Sequence, residues 1–445
     1  MKDKTTHETP VPVPEEAKQA GEIRDRWSWV EGSVWTDRML TALEAGVKGG
    51  QWYSLMDKVC LRRNLRAAYE RVRRNKGSAG VDHQTIKEFE WRLEENLEGL
   101  EQRLFAGSYR PQAVRRVWIP KPGGREKRPL GIPTVRDRIV QAAICNVLEP
   151  IFERDFADHS YGFRPGRGCK DALRRVSELL NAGFTHVVDA DLKSFFDTIP
   201  HDRIMEGVKA KVADGRILKL IEDYLRQEVM ETAERWTPEQ GTPQGAVLSP
   251  LLANIALDPL DHLMAARGNE MVRYADDFVI LCRTLREAEQ ALSHVRAWAD
   301  EAGLKLHPDK THVVDTTQPG GFDFLGYHFE GGHRWPRKKS MKKLKDAVRA
   351  KTKRSNGHSL EKIIADVNRS LRGWFEYFKH GKRWTFPHVD GWVRMRLRSI
   401  LRRRKGLSGR GRGRDHQRWP NAFFAEHGLF SMTAAHAAAC QSSRR

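Results

Sequence analysis

Five cysteines in 445 residues (Cys60, Cys145, Cys169, Cys282 and Cys440) include no Cys-x-x-Cys pair, and no histidine stands at a zinc-ligand spacing from any of them. That scarcity argues against a disulfide framework and a zinc centre and fits a reducing compartment. No apolar run approaches the roughly 18 residues of a membrane span, and the polar N-terminus is no signal peptide, so the expectation is a soluble, cytoplasmic protein with no membrane partner. Acidic charge is scarce in one place only. From His333 to Arg445 there are 30 Lys and Arg against 7 Asp and Glu, whereas residues 1–332 carry 48 and 51. The net charge of +20 therefore lies in the last quarter, a polycation that needs a polyanionic partner, and nucleic acid is the obvious one.

What is present centres on Met271 to Cys282, where Asp276 and Asp277 interrupt a run rich in Val, Ile, Phe and Tyr. This reads as a β-hairpin whose turn lifts both carboxylates clear of the sheet. Adjacent carboxylates repel unless a cation sits over them, and their oxygens suit Mg²⁺ or Mn²⁺ far better than Zn²⁺; paired ions of that kind mostly serve phosphoryl transfer. A second strand, Thr185 to Asp191, puts Asp189 and Asp191 on one face and Val188 and Ala190 on the other. Its end can meet the hairpin pair, and spacing leaves open which of Asp189, Asp191 and Asp197 is the third ligand.

The rest of the chain supplies supporting pieces. Residues 1–25 read as disordered, and Trp27, Trp29, Trp35 and Trp52 read as anchors for a docked N-terminal segment. A helix over Val59 to Arg74 carries six arginines (62, 63, 66, 71, 73 and 74) without matching acids, which favours a nucleic-acid backbone contact, and a second helix runs from Ile86 to Leu104. Val117 to Pro133 reads as strand, Gly-rich basic turn, strand, a hairpin suited to closing over a triphosphate. Helix returns from Arg138 to Glu149, and Tyr161 to Arg167 forms a basic turn before a helix beginning near Lys170. Gly241 to Leu252 is a Gly/Pro loop opening an apolar helix, where small residues let a substrate approach the backbone. Phe322 to Phe329 reads as one strand. From Ser340 to Ile400 three amphipathic basic helices form a bundle, followed by a flexible cationic tether through Gly409-Arg410-Gly411-Arg412-Gly413-Arg414 and a short aromatic segment, Trp419 to Phe430.

Seven motifs in one order carry a resemblance. They are Ile119-Pro120-Lys121 through Arg128-Pro129-Leu130-Gly131; Tyr161-Gly162-Phe163-Arg164-Pro165; Asp191-Leu192-Lys193-Ser194-Phe195-Phe196-Asp197; Thr242-Pro243-Gln244-Gly245 with Leu248-Ser249-Pro250; Tyr274-Ala275-Asp276-Asp277; Lys310-Thr311; and Phe324-Leu325-Gly326. In this series the chain resembles, over roughly residues 55–430, the reverse transcriptases encoded by bacterial group II introns, which also act as maturases. The resemblance implies an α+β right-hand polymerase: an N-terminal extension (1–54), N-terminal helices and fingers with antiparallel sheet (55–184), a palm (185–332), a helical thumb or maturase domain (333–400) and a basic DNA-binding-like tail (401–445).

It also implies roles. Asp191, Asp276 and Asp277 match the family's metal-binding carboxylates, with Leu192 beside them, for two Mg²⁺ ions that Mn²⁺ can replace. Lys121 and Arg128 match the cations that grip the incoming dNTP, Phe196 the aromatic beneath its sugar, Gln244 the loop lining nucleotide and template, and Lys310 a lysine that protonates pyrophosphate. Tyr161, Arg164, Gly245, Phe324, Leu325, Gly326, Arg372 and Trp374 fall in segments that contact primer, template or intron RNA. The implied partners are intron RNA, an RNA template with its DNA primer, target DNA and dNTPs. Paired cysteines and histidines of an endonuclease domain are missing, so the expected relative is of the endonuclease-free type. Two other readings stand beside this one: an RNA-binding splicing cofactor with secondary polymerase activity, and a host-adopted enzyme of phage defence.

Overall fold

The structure is a computed structural model that describes residues 22–47, 49–120, 127–232, 234–411 and 413–442. The expected disorder of residues 1–25 falls mostly outside these, as do Lys121 and the Gly123-Gly124 turn; residues 22–26 are helical. The tryptophans dock the N-terminal segment. The Trp35 indole is buried and donates to the Asn146 carbonyl at 3.0 Å, Trp27 donates to Glu44 at 2.7 Å, and Trp52 stands edge-on to Trp35.

The first arginine-rich helix is two helices, Met56–Cys60 and Arg62–Asn75, because Leu61 takes an extended ψ of 127°. Its apolar stripe of Leu65, Ala68, Tyr69 and Val72 is buried, but four of the six arginines are not free for a backbone contact. Arg62 meets Glu94, Glu98 and Glu101, Arg66 meets Glu94, Arg71 meets Glu149, and Arg73 meets Glu70 and Glu90. The matching acids come mainly from other helices, which is why local sequence hid them. The second expected helix also breaks, at Arg92, into Ile86–Trp91 and Leu93–Phe105.

Strands β1 (Val114–Pro120) and β2 (Lys127–Ile132) form the antiparallel fingers hairpin. Behind them lies the helix Val135–Glu153, longer than expected at both ends, capped by the Thr134 hydroxyl and buried on nearly every side. After the helix Cys169–Asn181 comes β3 (His186–Asp191). Two short strands follow, β4 (Val229–Glu231), which pairs parallel to β1, and β5 (Glu234–Trp236). The apolar helix Ser249–Ala266 leads into β6 (Glu270–Tyr274) and β7 (Asp277–Cys282), and the helix Leu285–Glu301 into β8 (His312–Asp315). The palm sheet has the order β6-β7-β3-β8, antiparallel throughout.

Period-two alternation gives this sheet two apolar faces. Val188, Ala190, Phe278 and Ile280 join the main core with the long helices, a core that continues without interruption into the fingers past the expected boundary at 184. Val187, Val279 and Leu281 pack instead against a small sheet of β9 (Phe322–Phe324), β10 (Tyr327–Glu330) and β11 (His333–Pro336). The single strand expected over Phe322 to Phe329 is thus a hairpin, turned at Leu325 and Gly326, both with positive φ. Asp189, Asp191 and Asp277 lie at the positions alternation assigns to this second face.

Three basic helices, Lys338–Lys351, Leu360–Phe378 and Thr385–Arg404, form the expected bundle and complete an α+β right hand of fingers, palm and thumb. The tail is not a flexible tether. Gly411 N–H donates to Ser399 Oγ at 3.0 Å, Arg398 donates to the Trp419 carbonyl at 2.9 Å, and Trp419, Phe424 and Met432 are buried in the bundle's own core. Asp390 accepts from the backbone N–H groups of Met432 and Thr433, so it caps the final helix, Met432–Ser442, onto the bundle. Aromatic burial rather than the Gly-Arg repeat governs this segment. Phe424→Ala is therefore expected to cost about 3–5 kcal/mol in urea unfolding followed by tryptophan fluorescence; a loss below about 1 kcal/mol would return the segment to a tether.

Candidate active site

β6 and β7 meet in a two-residue loop, Ala275-Asp276, with Tyr274 paired to Asp277. Ala275 takes φ +60°, a conformation that L residues with a Cβ avoid and that a two-residue hairpin requires at its first loop position. Asp276 lies in this turn. Asp277 does not clear the sheet: it is the first residue of β7 and sits opposite Asp191 on β3.

The turn is held from beneath by Arg273, whose side chain is wholly buried. Its Nε donates to Asp261 Oδ1 at 2.7 Å and one terminal amine pairs with Asp261 Oδ2. That amine also donates to Ser160 Oγ at 2.7 Å, while the other donates to Asn254 Oδ1 at 3.0 Å and to the Ala275 carbonyl at 2.9 Å. Asn254 continues the chain to the Gly162 carbonyl at 2.9 Å. Gly162 presses so closely on the turn that a Cβ there would lie 2.3 Å from the Ala275 nitrogen, so only glycine fits.

Like charge accumulates above this support. Burial, reinforced by Asp276 and Asp191, pushes the Asp277 carboxyl up to about 7. Burial, then Asp277, Asp323 and Asp191, does the same for Asp189, and burial with Asp191 raises Asp276. Arg337 offsets part of this at Asp277, and the cation bonded to the cluster is Lys310, with Nζ 2.6 Å from Asp191 Oδ2. It arrives there because the Asp191 carbonyl accepts from the His307 N–H at 2.8 Å and Leu192 bridges to Leu306, which carries the next turn to the carboxylates. With Asp191 turned to Lys310, no three His, Cys, Asp or Glu side chains among the described residues are disposed to hold a metal ion. Asp191, Asp276 and Asp277 are a convergent all-oxygen set, of the chemistry Mg²⁺ prefers, rather than a closed cage. Leu192 is buried, so its carbonyl is the only atom it can offer.

Phe196 lies in the short helix Phe195–Thr198, half-buried against Phe195. Its carbonyl accepts from the Thr242 N–H at 2.7 Å, so the Gly241 loop straps it in place. The Gln244 carbonyl in turn accepts from the Gly131 N–H at 2.7 Å, and Gly245, at φ +105°, passes where a Cβ would lie 2.7 Å from the Gly131 oxygen. The loop with Gln244 and Gly245 is thereby fastened to β2, whose Arg128 is exposed.

Three expected nucleic-acid contacts point inward instead. Arg164 is buried and all its N–H groups are engaged by Glu153 and the carbonyls of Phe156, Ala157 and Ser160, so it braces its own turn. Phe324 is fully buried in the palm hairpin. Trp374 packs on Phe378, with ring centroids 4.6 Å apart, between the bundle and that hairpin. The Leu325 and Gly326 carbonyls accept from Tyr377 Oη at 2.7 Å and Ser340 Oγ at 2.9 Å, tying the hairpin to the thumb. Tyr161 is half-buried, whereas Arg372 is exposed above the Phe430 ring. Sequence reasoning gave no role to Arg273 or Asp261. The available signal was a cation inside a mostly apolar strand and a pair of acids, Asp258 and Asp261, in a helix of otherwise apolar character.

Residues 119–329 match the family model described as reverse transcriptase (RNA-dependent DNA polymerase), and residues 341–419 match that of the group II intron, maturase-specific domain. The chain is 35% identical over 300 residues to protein YkfC of Escherichia coli, covering 59% of this chain and 76% of that protein. It belongs to the group II intron reverse transcriptase/maturase family. Within that family it is 39% identical over 196 residues to the group II intron-encoded protein LtrA of Lactococcus lactis, covering 44% of this chain and 32% of LtrA. It therefore spans about a third of LtrA's length. Among solved structures, a partial Cas6-RT-Cas1–Cas2 complex aligns with a TM-score of 0.36 at 23% identity, over 55% of this chain and 42% of that one.

Two outcomes are expected of the candidate site in this group II intron reverse transcriptase. Arg273→Ala leaves Asp261 buried and unpaired, which costs about 3–5 kcal/mol by chemical denaturation. The raised carboxyls of Asp277 and Asp189 favour the folded state when neutral, so their contribution is full below the unfolded carboxylate range and is lost as pH rises through about 7. In a chelating buffer Asp277→Asn should then raise the melting temperature at pH 8 and change it little at pH 4; an equal effect at both would remove the like-charge account.

Proposed function

We propose that this chain extends a DNA primer on an RNA template with two divalent cations, Mg²⁺ or Mn²⁺, held by Asp191, Asp276, Asp277 and the Leu192 carbonyl. The observation that supports it most is the pairing of Asp191 with Asp277 across β3 and β7, beside Asp276 on a turn that a buried arginine holds at positive φ. Bound cations would activate the primer 3′-hydroxyl and stabilise charge on the α-phosphate and the leaving pyrophosphate.

The chain's own groups supply the rest. The Lys310 ammonium marks where positive charge is wanted beside Asp191; released from that carboxylate, it is placed to give a proton to pyrophosphate. Arg128, with Lys121, draws the triphosphate against the Gln244 loop, which is already fastened to the fingers hairpin. Phe196, strapped by Thr242, stands beneath the sugar, where a ribose 2′-hydroxyl would collide with its ring. The Leu325-Gly326 turn, fixed to the thumb by Tyr377 and Ser340, supports the primer end. Intron RNA and target DNA are read as partners of the thumb bundle, whose exposed lysines and match to the maturase-specific domain support a role in splicing and retromobility.

Replacing Asp276 and Asp277 together by Asn removes two of the three acidic ligands. Primer extension on an RNA template should fall by roughly a thousandfold or more, the scale of several kcal/mol of lost charge stabilisation, while RNA affinity stays near that of the parent. Synthesis at an undiminished rate would reject the site.

A further inference from the structure

Phe163 is 51% exposed and holds φ +60°, a strained combination for a bulky aromatic that the core does not repay. Its backbone is set by its neighbours: Gly162 lies against the catalytic turn, and the Tyr161 N–H donates to the Arg273 carbonyl at 2.9 Å. The ring stands at the lip of the active site, 6.5 Å from Phe196 and 6.4 Å from Tyr274 between centroids. The same residue lines a cavity of about 450 Å³, lined also by Trp29, Glu31, Arg71, Arg74 and Glu149.

These lining groups differ in what they have left to offer. Arg71 is spent on Glu149 and Asn146. Arg74 donates only Nε, to the Glu70 carbonyl, and among the described residues its terminal amines have no protein partner. Trp29, unlike buried Trp27 and Trp35, is 36% exposed. One cavity, walled by the same ring that stands 6.5 Å from Phe196, thus presents two accessible rings and a guanidinium whose terminal amines are unengaged. Its volume falls in the range that holds one small ligand, about 300–1,000 Å³. Glu31 and Glu149 disfavour a triphosphate there, and bases in a duplex have no free face to stack, whereas an unpaired nucleotide brings one base and one phosphate.

We propose that this cavity receives an unpaired nucleotide of the template just ahead of the copied position, with Phe163 and Trp29 as stacking surfaces and Arg74 on its phosphate. The proposal rests on the polymerase reading, and its test is a binding measurement independent of synthesis. Fluorescence anisotropy would give the affinity of the full chain for RNA/DNA duplexes that are blunt or carry graded single-stranded 5′ template overhangs. The parent should bind overhang duplexes more tightly than blunt ones. Phe163→Ala and Arg74→Ala should remove that gain, about tenfold for one lost base stack, without changing blunt-duplex affinity, and Phe163→Trp should restore it. An overhang gain that survives both substitutions, or an equal loss on blunt and overhang duplexes, would overturn the subsite. A parent that shows the overhang gain yet extends no primer would instead overturn the polymerase reading and leave the subsite standing.

Discussion

The ion pair between Arg273 and Asp261 is the constraint on which the candidate active site depends. Neither side chain has any exposed surface, so the pair carries a large desolvation cost that only good geometry and full hydrogen bonding can offset. Asp261 comes from the long apolar helix, Arg273 from β6, Ser160 from the loop after the helix Val135–Glu153, and Asn254 from about two turns earlier in the same helix as Asp261. The helix and the Ser160 loop, distant in sequence, are both fixed to one guanidinium on β6, and the group it also reaches is the Ala275 carbonyl. A hydrophobic replacement could fill that volume, yet it would not hold the strained turn that presents Asp276.

Above the pair the energetics run the other way. Asp189, Asp276 and Asp277 are crowded and partly desolvated, and each has its carboxyl pushed up by burial and by like charge. Folding alone gives no reason to gather them. The Lys310 ammonium bonds Asp191 and offsets only part of the charge on the other three, so the site is destabilised in a way that cation binding relieves and core packing does not. Such a site needs a rigid base, and the antiparallel register of β6, β7 and β3, with helices behind one face and the β9–β11 sheet on the other, provides it.

What could be read from the sequence was whatever depends on order and period. The motif series and the alternation around Asp189 and Asp191 anticipated an α+β right hand, and the structure brings Asp191, Asp276, Asp277 and Lys310 together while the strapped Phe196 and the Gln244 loop converge beside them. What escaped was partnership. The arginines of Arg62–Asn75 looked free because their acids lie in other elements; Arg164 looked like a surface cation because nothing local showed that Glu153 and three carbonyls would enclose it. The helix breaks at Leu61 and Arg92 leave the hydrophobic stripe in phase on both sides, so periodicity runs through them. The Gly-Arg repeat suggested a tether since composition weighs each residue alike, whereas three buried side chains, Trp419, Phe424 and Met432, decide where that segment lies.

The same contrast in partnership bears on where a polyanion is gripped. In the N-terminal helices cations are largely consumed: Arg62, Arg66, Arg71 and Arg73 all meet glutamates, so their charge acts in folding rather than on a ligand. On the helix Lys338–Lys351 the acid is Asp346, which pairs with Arg349, and among the described residues Lys338, Lys339, Lys342 and Lys343 are exposed with no ion pair. Lys345 lies over the Trp392 ring, which leaves its charge available as well. Charge that is solvated and unpaired in the free protein costs little to bring to phosphates and releases their counterions, whereas a paired arginine must first break its own contact. Unpaired charge of this kind is concentrated on the bundle, whereas that of the N-terminal helices is mostly internal, so the bundle is electrostatically the better matched of the two to a polyanion.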